Sequence, residues 1–440
     1  MSYTLAVGND GTAATAQVVW SVDGKTYRFR SDNNFISWIT TIFDVGDVAS
    51  GAGSIDYRLL RPFPATQEST LGLNGNTAGG RGALASVNTG LNNTAFGGNA
   101  LALNNTGSSN TALGAGALQG NIAGSNNVAV GTNALLLGNS SVNNTAVGSG
   151  AMQNSQTGNN TALGTNALRD STAQLCVAIG GFTLQTNSGI SNTACGEQAL
   201  SVNTSGARNS ALGQAAMKSN TTGSSNTALG SGSLQNNLTG GNNIAIGQHA
   251  LLSGAALQNI VAVGTSALAG AIGTTHADNT AVGHQALTGV SSAARNVAIG
   301  NLAGDAVTSG NNNTLIGYDA GGAITIGNGN TAVGQDALGN VAGTGKANNT
   351  AIGNDCGNNI TTGNNNTLIG SNADTDTTGR SDCVILGRNS GGGAVGLADG
   401  SLVIGDAMAN LITAVAPTGA TSYLRVWLNN QEYRIPIQVP

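Results

Sequence analysis

Asp319, Asp336 and Asp355 share one phase of a repeating phrase, each standing two residues after a glycine (Gly317, Gly334, Gly353). If equivalent positions stack, these carboxylates form a ladder with steps of about 4.8 Å. Like charges so close repel, and clustered carboxylate oxygens suit a hard cation, so the column is a candidate Ca²⁺ site. The same column holds Asn133, Asn166, Gln198 and Gln285 in other copies, which stack without repulsion, so the acidic run is a local departure.

Other reactive side chains support less chemistry. Polysaccharide cleavage needs two positioned carboxylates, normally with aromatic platforms along the groove. Residues 71–405 hold 11 acidic positions but only Phe96, Phe182 and Tyr318 as aromatics. His249, His276 and His284 fit no triad or metal spacing, and His249 and His284 fall on turns. Cys176, Cys195, Cys356 and Cys383 also lack metal spacing and read as small apolar residues within the repeat. The residues point to a chain that is not an enzyme and carries no cofactor beyond the candidate Ca²⁺.

The phrase that positions them is clearest at Asn92–Leu101 (NNTAFGGNAL), and returns as SNTALGAGAL, NNVAVGTNAL and NNTAVGSGAM. Its glycine recurs 20 times from Gly80 to Gly405, nearly always 16 or 17 residues apart. With that glycine as position 0, Asn occupies −4 and Ala −2 in 16 copies each, and Leu or Met occupies +4 in 14. Position −1 is large and apolar (Phe96, Leu113, Val130, Ile179). A period this short excludes helical repeats and predicts a β-solenoid, one coil per copy. Two strands of four or five residues and two turns would use up each period.

Alternation along a strand puts −3 and −1 on one face, and their β-branched and large apolar residues suit a buried one. Ala at −2 then faces outward and allows a neighbour to approach closely. The glycine turns the chain, and Asn at −4 is suited to left-handed geometry. From Gly300 onward, glycine often replaces the +4 leucine (Gly304, Gly321, Gly357, Gly391), so the later coils differ in shape.

Asn296-Val297-Ala298-Ile299-Gly300 and Asn243-Ile244-Ala245-Ile246-Gly247 resemble the head repeat of trimeric autotransporter adhesins. Asn220-Thr221-Thr222-Gly223 and Ile360-Thr361-Thr362-Gly363 resemble the spacer of repeat-containing phage tail-fibre proteins. The resemblance implies a left-handed parallel β-roll in which three rolls pack about one axis, hence a homotrimer. It also implies an adhesive role towards a host cell-surface receptor or glycan.

Three segments follow: an N-terminal attachment or capping domain (1–70), a solenoid shaft (71–408) of about 20 coils and roughly 95 Å, and a C-terminal hairpin cap (409–440). Residues 1–70 hold nine of the 15 aromatics and read as a small α+β domain. A hairpin turns at Asp23-Gly24, and a short helix capped by Asp32 carries Phe35, Trp38, Ile39, Ile42 and Phe43 on one face. A second hairpin, around Asn429-Asn430, ends the chain. Solenoid ends are open sheet edges, and these aromatic hairpins are placed to cover them.

The net charge is −5, with scattered basic residues that leave no footprint for nucleic acid. No apolar run reaches the roughly 18 residues of a membrane span, and Met1-Ser2-Tyr3-Thr4 lacks a secretory signature. Taken with the resemblance to phage tail-fibre proteins, the expected protein is a virion appendage on a phage tail or head, joined to other virion structural proteins through residues 1–70. A bacterial surface-adhesin passenger is the alternative, followed by a host-glycan depolymerase. Ice binding ranks last, because the single Thr column is expected on the buried face.

Overall fold

The computed structural model describes residues 74–87, 89–270, 278–339, 347–375, 379–391 and 399–404, together with the backbones of strands in 15–32 and 423–436. Two units separate, Met1–Pro64 and Ala65–Pro440. Within the first, strand β1 (Thr15–Val22) pairs antiparallel with β2 (Lys25–Asp32), as the hairpin around Asp23-Gly24 predicts. The expected helix at Phe35–Phe43 lies outside the described residues. In the second unit Tyr423–Leu428 pairs antiparallel with Gln431–Pro436, which confirms the terminal hairpin. Its capping role concerns side chains outside those described.

The repeat folds into a parallel β-solenoid. Twenty strands, from Thr77–Gly79 to Leu402–Ile404, pair each with the next in the chain. The register never slips: Thr94, Ala95 and Phe96 lie beside Thr111, Ala112 and Leu113, and Thr227, Ala228 and Leu229 beside Ile244, Ala245 and Ile246. Among the described residues the first strand pairs only with the second, and the last only with the one before it, so the sheet is open at both ends.

Among the described residues each coil differs from expectation in having one strand of three residues rather than two of four or five. Turns make up the remainder. They place three positions per coil in the left-handed region, most of them filled by residues other than glycine, as at Asn92, Asn99 and Leu101, with φ of 55°, 58° and 51°. This explains the Leu/Met restriction at +4, because β-branched residues strain most at positive φ.

The faces of the strand are the reverse of those expected. The −2 alanines point inward and are fully buried, as at Ala95, Ala129 and Ala262, whereas −3 and −1 point outward. The physical reason is the width of the coil. Leu at +4 fills the interior from the opposite wall (Leu101, Leu118 and Leu234 are fully buried), which leaves room for only a methyl group from the strand.

The later coils confirm that −2 and +4 face each other. Leu315 takes −2 where Gly321 takes +4, and a Cβ on Gly321 would lie 2.6 Å from Leu315 Cδ2. A Cβ on Gly391 would lie 2.9 Å from Ile385 Cδ1 in the same way. The leucine has changed walls, so core volume is conserved although the pattern changes. Val307, Ile324 and Ile360, fully buried at +7 in coils with glycine at +4, complete this second core type.

Candidate functional surfaces

Two surfaces and one internal network emerge from the repeat. The network begins with Asn at −4, which is buried rather than left-handed; the left-handed residue is its neighbour at −5 (Asn92, Ser109, Asn126). The backbone N–H of Asn226 donates to Asn209 Oδ1 at 3.0 Å, and its Nδ2 donates to the same oxygen at 3.2 Å. Asn226 Oδ1 then accepts from both nitrogens of Asn243, at 3.0 Å each.

A second buried column at +7 runs alongside. Asn220 Nδ2 donates to Asn203 Oδ1 at 2.7 Å, and Asn237 Nδ2 to Asn220 Oδ1 at 3.3 Å. The two columns meet on one carbonyl: Gly240 O accepts from Asn226 Nδ2 and Asn237 Nδ2, both at 2.9 Å. A Cβ on Gly240 would lie 2.4 Å from Asn237 Oδ1, so glycine is required there. The Asn-Thr-Thr-Gly spacer is therefore a structural device, with its Asn at +7 and its Gly at the shared carbonyl. Buried amides of this kind need partners, and these find them in their own and adjacent coils, with Asn121 Oδ1 the exception in the +7 column.

The candidate metal column behaves as stacking predicts, up to a point. Asp319, Asp336 and Asp355 occupy equivalent left-handed positions, with φ of 51°, 52° and 53°, and donate backbone N–H groups to Asn301, Tyr318 and Gln335 of the preceding coils. Local donors engage two of the carboxylates: Asp336 Oδ2 accepts from Gln335 Nε2 at 3.0 Å, and Asp355 Oδ1 from Asn358 Nδ2 at 3.3 Å. Among the described residues no three His, Cys, Asp or Glu side chains come close enough together to hold a metal ion.

The column has an electrostatic consequence. Partial burial, and then the charges of Asp305 and Asp336, push the Asp319 carboxyl above its ordinary value of 3.8. Burial raises Asp305 as well. A carboxyl raised in the folded state contributes stability that is present below its unfolded value and is lost as pH rises through the folded one. Asp319→Asn should therefore raise the melting temperature at pH 7, by an amount corresponding to about 0.5 kcal/mol, and the gain should vanish near pH 3.5. Melting curves of both proteins across that range check it.

The outward strand face is the second surface. Thr or a β-branched aliphatic fills −3 except at Ser210 and Leu402, and −1 forms a largely aliphatic column in which Leu113 is 51%, Leu212 49% and Phe96 44% exposed. The ring of Phe96 extends over Gly79 of the preceding coil, where a Cβ would meet its Cδ1 at 2.5 Å. The Thr column, expected on the buried face, thus lies outside.

All four cysteines are free thiols. Cys176, Cys356 and Cys383 are buried, and burial pushes the Cys356 thiol up to about 12. Cys195 stands half-exposed in the −1 column, between Ile179 and Leu212. His249 and His284 are exposed turn residues, and His276 lies outside the described residues. No helix among the described residues is long and apolar enough to cross a membrane.

Comparison with known proteins adds no relative: no family model, no curated protein and no solved structure matches this chain.

Proposed function

We propose that the chain is a homotrimeric virion fibre, a phage tail or head appendage that adheres to a host cell-surface receptor or glycan. Residues 1–70 join it to other virion structural proteins, and the solenoid sets the distance between that junction and the host. The observation that carries this reading is the use to which the repeat puts its side chains. Twenty in-register strands and two buried asparagine columns build length and stiffness, one coil at a time. A scaffold of this sort serves as a spacer whose exposed columns and ends do the binding. Its polar groups are spent on coil-to-coil hydrogen bonds, so no enzymatic role is proposed.

The reading is tested by adsorption. Purified full-length protein, incubated with host cells before virions are added, should slow virion attachment at micromolar concentration. Labelled antibody should also decorate appendages in electron micrographs. Particles that are undecorated, with attachment unaffected, would sink it.

A further inference from the structure

We propose that the joint between the coils of Gly114 and Gly131 binds one buried structural water, held by the amide oxygen of Asn121 and the hydroxyl of Ser141.

An acceptor without a donor points to the site. Asn121 is fully buried at +7, and its Nδ2 donates to Asn104 Oδ1 at 2.7 Å and to Gly124 O at 3.0 Å. Those two bonds fix which end of the amide is oxygen, and Asn121 Oδ1 then has no partner among the described residues. Elsewhere in the column the next coil supplies one. Asn187 Oδ1 accepts from Asn203 Nδ2 at 2.6 Å, and Asn203 Oδ1 from Asn220 Nδ2 at 2.7 Å. After Asn121 the equivalent residue is Gly138, which is buried and has no side chain to offer. A bare buried acceptor is costly, and a water answers it where the surroundings are polar and roomy enough.

Ser141 meets both conditions. It stands three residues after Gly138, at the phase where Gly107, Gly124 and Gly223 stand in regular coils. Its side chain returns only part of the volume of the asparagine that Gly138 replaces. The hydroxyl donates to Gly138 O at 2.9 Å, which leaves oxygen lone pairs to accept a further bond. Asn121 Oδ1 and Ser141 O would both touch a Cβ on Gly124, so the amide oxygen and residue 141 share one joint. A Cβ on Gly138 would meet Ser141 Oγ at 3.0 Å, Leu135 Cγ at 3.1 Å and Leu135 O at 3.4 Å, so two of its three nearest neighbours are oxygens. A water on that side of Gly138 donates one hydrogen to Asn121 Oδ1 and the other to Ser141 Oγ. The lining carries no charge, which suits water rather than an ion.

The chain contains its own comparison. The later run of +7 amides ends at Asn237, which is also followed by a glycine at that phase, Gly254. Three residues further on stands Leu257, fully buried, and Asn237 Oδ1 accepts from Gly240 N at 3.1 Å. The two joints are otherwise equivalent, since Asn243 Nδ2 donates to Leu257 O at 2.7 Å as Asn127 Nδ2 does to Ser141 O at 2.8 Å. One amide run is thus closed by leucine, and the other, through serine, by water.

Diffraction from crystals of the full chain tests the site. Wild type should show one ordered water within about 3 Å of both Asn121 Oδ1 and Ser141 Oγ. Ser141→Leu, which copies Leu257, should remove it. If that variant does not fold, Ser141→Ala, which takes away one partner and adds no bulk, should lower the occupancy of the water. Gly138→Asn with Ser141→Gly restores the regular pair, and its amide nitrogen should stand where the water stood. A wild-type joint that shows no water, or in which Asn121 Oδ1 bonds directly to a protein donor, overturns the site. So does a water that persists unchanged through the substitutions at Ser141 or beside the amide introduced at Gly138.

Discussion

Replacing Gly213 with alanine should cost the solenoid about 4 kcal/mol, near the upper limit for a single substitution. Gly213 sits at φ +137°, in a region that L side chains rarely adopt. A Cβ there would lie 2.5 Å from both the carbonyl carbon and the oxygen of Gly230, and 2.9 Å from Ser231 N. All three are backbone atoms of the next coil, and Gly230 is packed in the same way on Gly247. The clash therefore cannot be relieved by a rotamer change; it must push two coils apart and break strand pairing on that side. Gly232→Ala supplies the contrast. Its φ is +64°, Ala215 occupies the equivalent position one coil earlier at +55°, and the nearest obstacle is the mobile side chain of His249. That variant should lose about 1 kcal/mol or less. Chemical unfolding of the two proteins beside wild type measures the difference, and equal losses would mean that close glycine stacking is not what spaces the coils.

Gly213 also shows what the sequence makes legible. A glycine at a fixed phase announces a position closed to side chains, and the 17-residue period announces stacked coils; both need only counting. Which face of the strand is inside is harder. Alternation has the same period whichever parity is buried, and a three-residue strand offers too few positions to break the tie. Size alone favours burying Phe96 and Leu113, and the structure does the opposite because Leu at +4 already fills the interior. The variation within each column was the better guide. Position −2 keeps to Ala, with Leu315, Leu368, Ile385 and Val403 appearing only in the later coils, where Gly321 and Gly391 at +4 make room for Leu315 and Ile385. Position −1 wanders through Phe, Leu, Val, Cys and Ile, as a surface permits.

The same test separates the paired asparagines. Position −5 accepts Ser109, Leu175, Arg208, Asp278 and Gly329, whereas −4 accepts besides asparagine only Cys176, Ile260, Cys383 and Ser401. The narrower set is the buried one. What no column reveals is that the +7 and −4 amides share a carbonyl, because that contact joins residues distant in phase and appears only once the coil is closed. The aspartate column was legible as a stack for the opposite reason, since its members share one phase. Whether their carboxylates converge depends on rotamers and on neighbours such as Gln335 and Asn358, which a column count does not contain.

Asn226→Ala follows from that shared carbonyl and should cost about 3 kcal/mol. The side chain donates to Asn209 Oδ1 and Gly240 O and accepts from both nitrogens of Asn243. Alanine leaves the Asn243 N–H and its amide without that acceptor inside a dry interior, and each unmet buried group costs about 1–3 kcal/mol. Gly240 O keeps one donor, Asn237 Nδ2, so the damage falls on the Asn243 side of the break. Asn226→Cys should lose roughly half as much, because sulfur is a weaker acceptor of similar bulk. The chain already makes that exchange at Cys176, whose Sγ lies 3.3 Å from Asn187 Nδ2. Ser225→Ala, one residue away on the exposed left-handed position, should stay within about 0.5 kcal/mol of wild type. Urea unfolding of the three variants should therefore rank alanine at 226 worst, cysteine next and the neighbouring alanine near zero. If Asn226→Ala instead unfolds together with Ser225→Ala, the asparagine columns are passengers, and apolar packing at +4 and −2 alone holds one coil to the next.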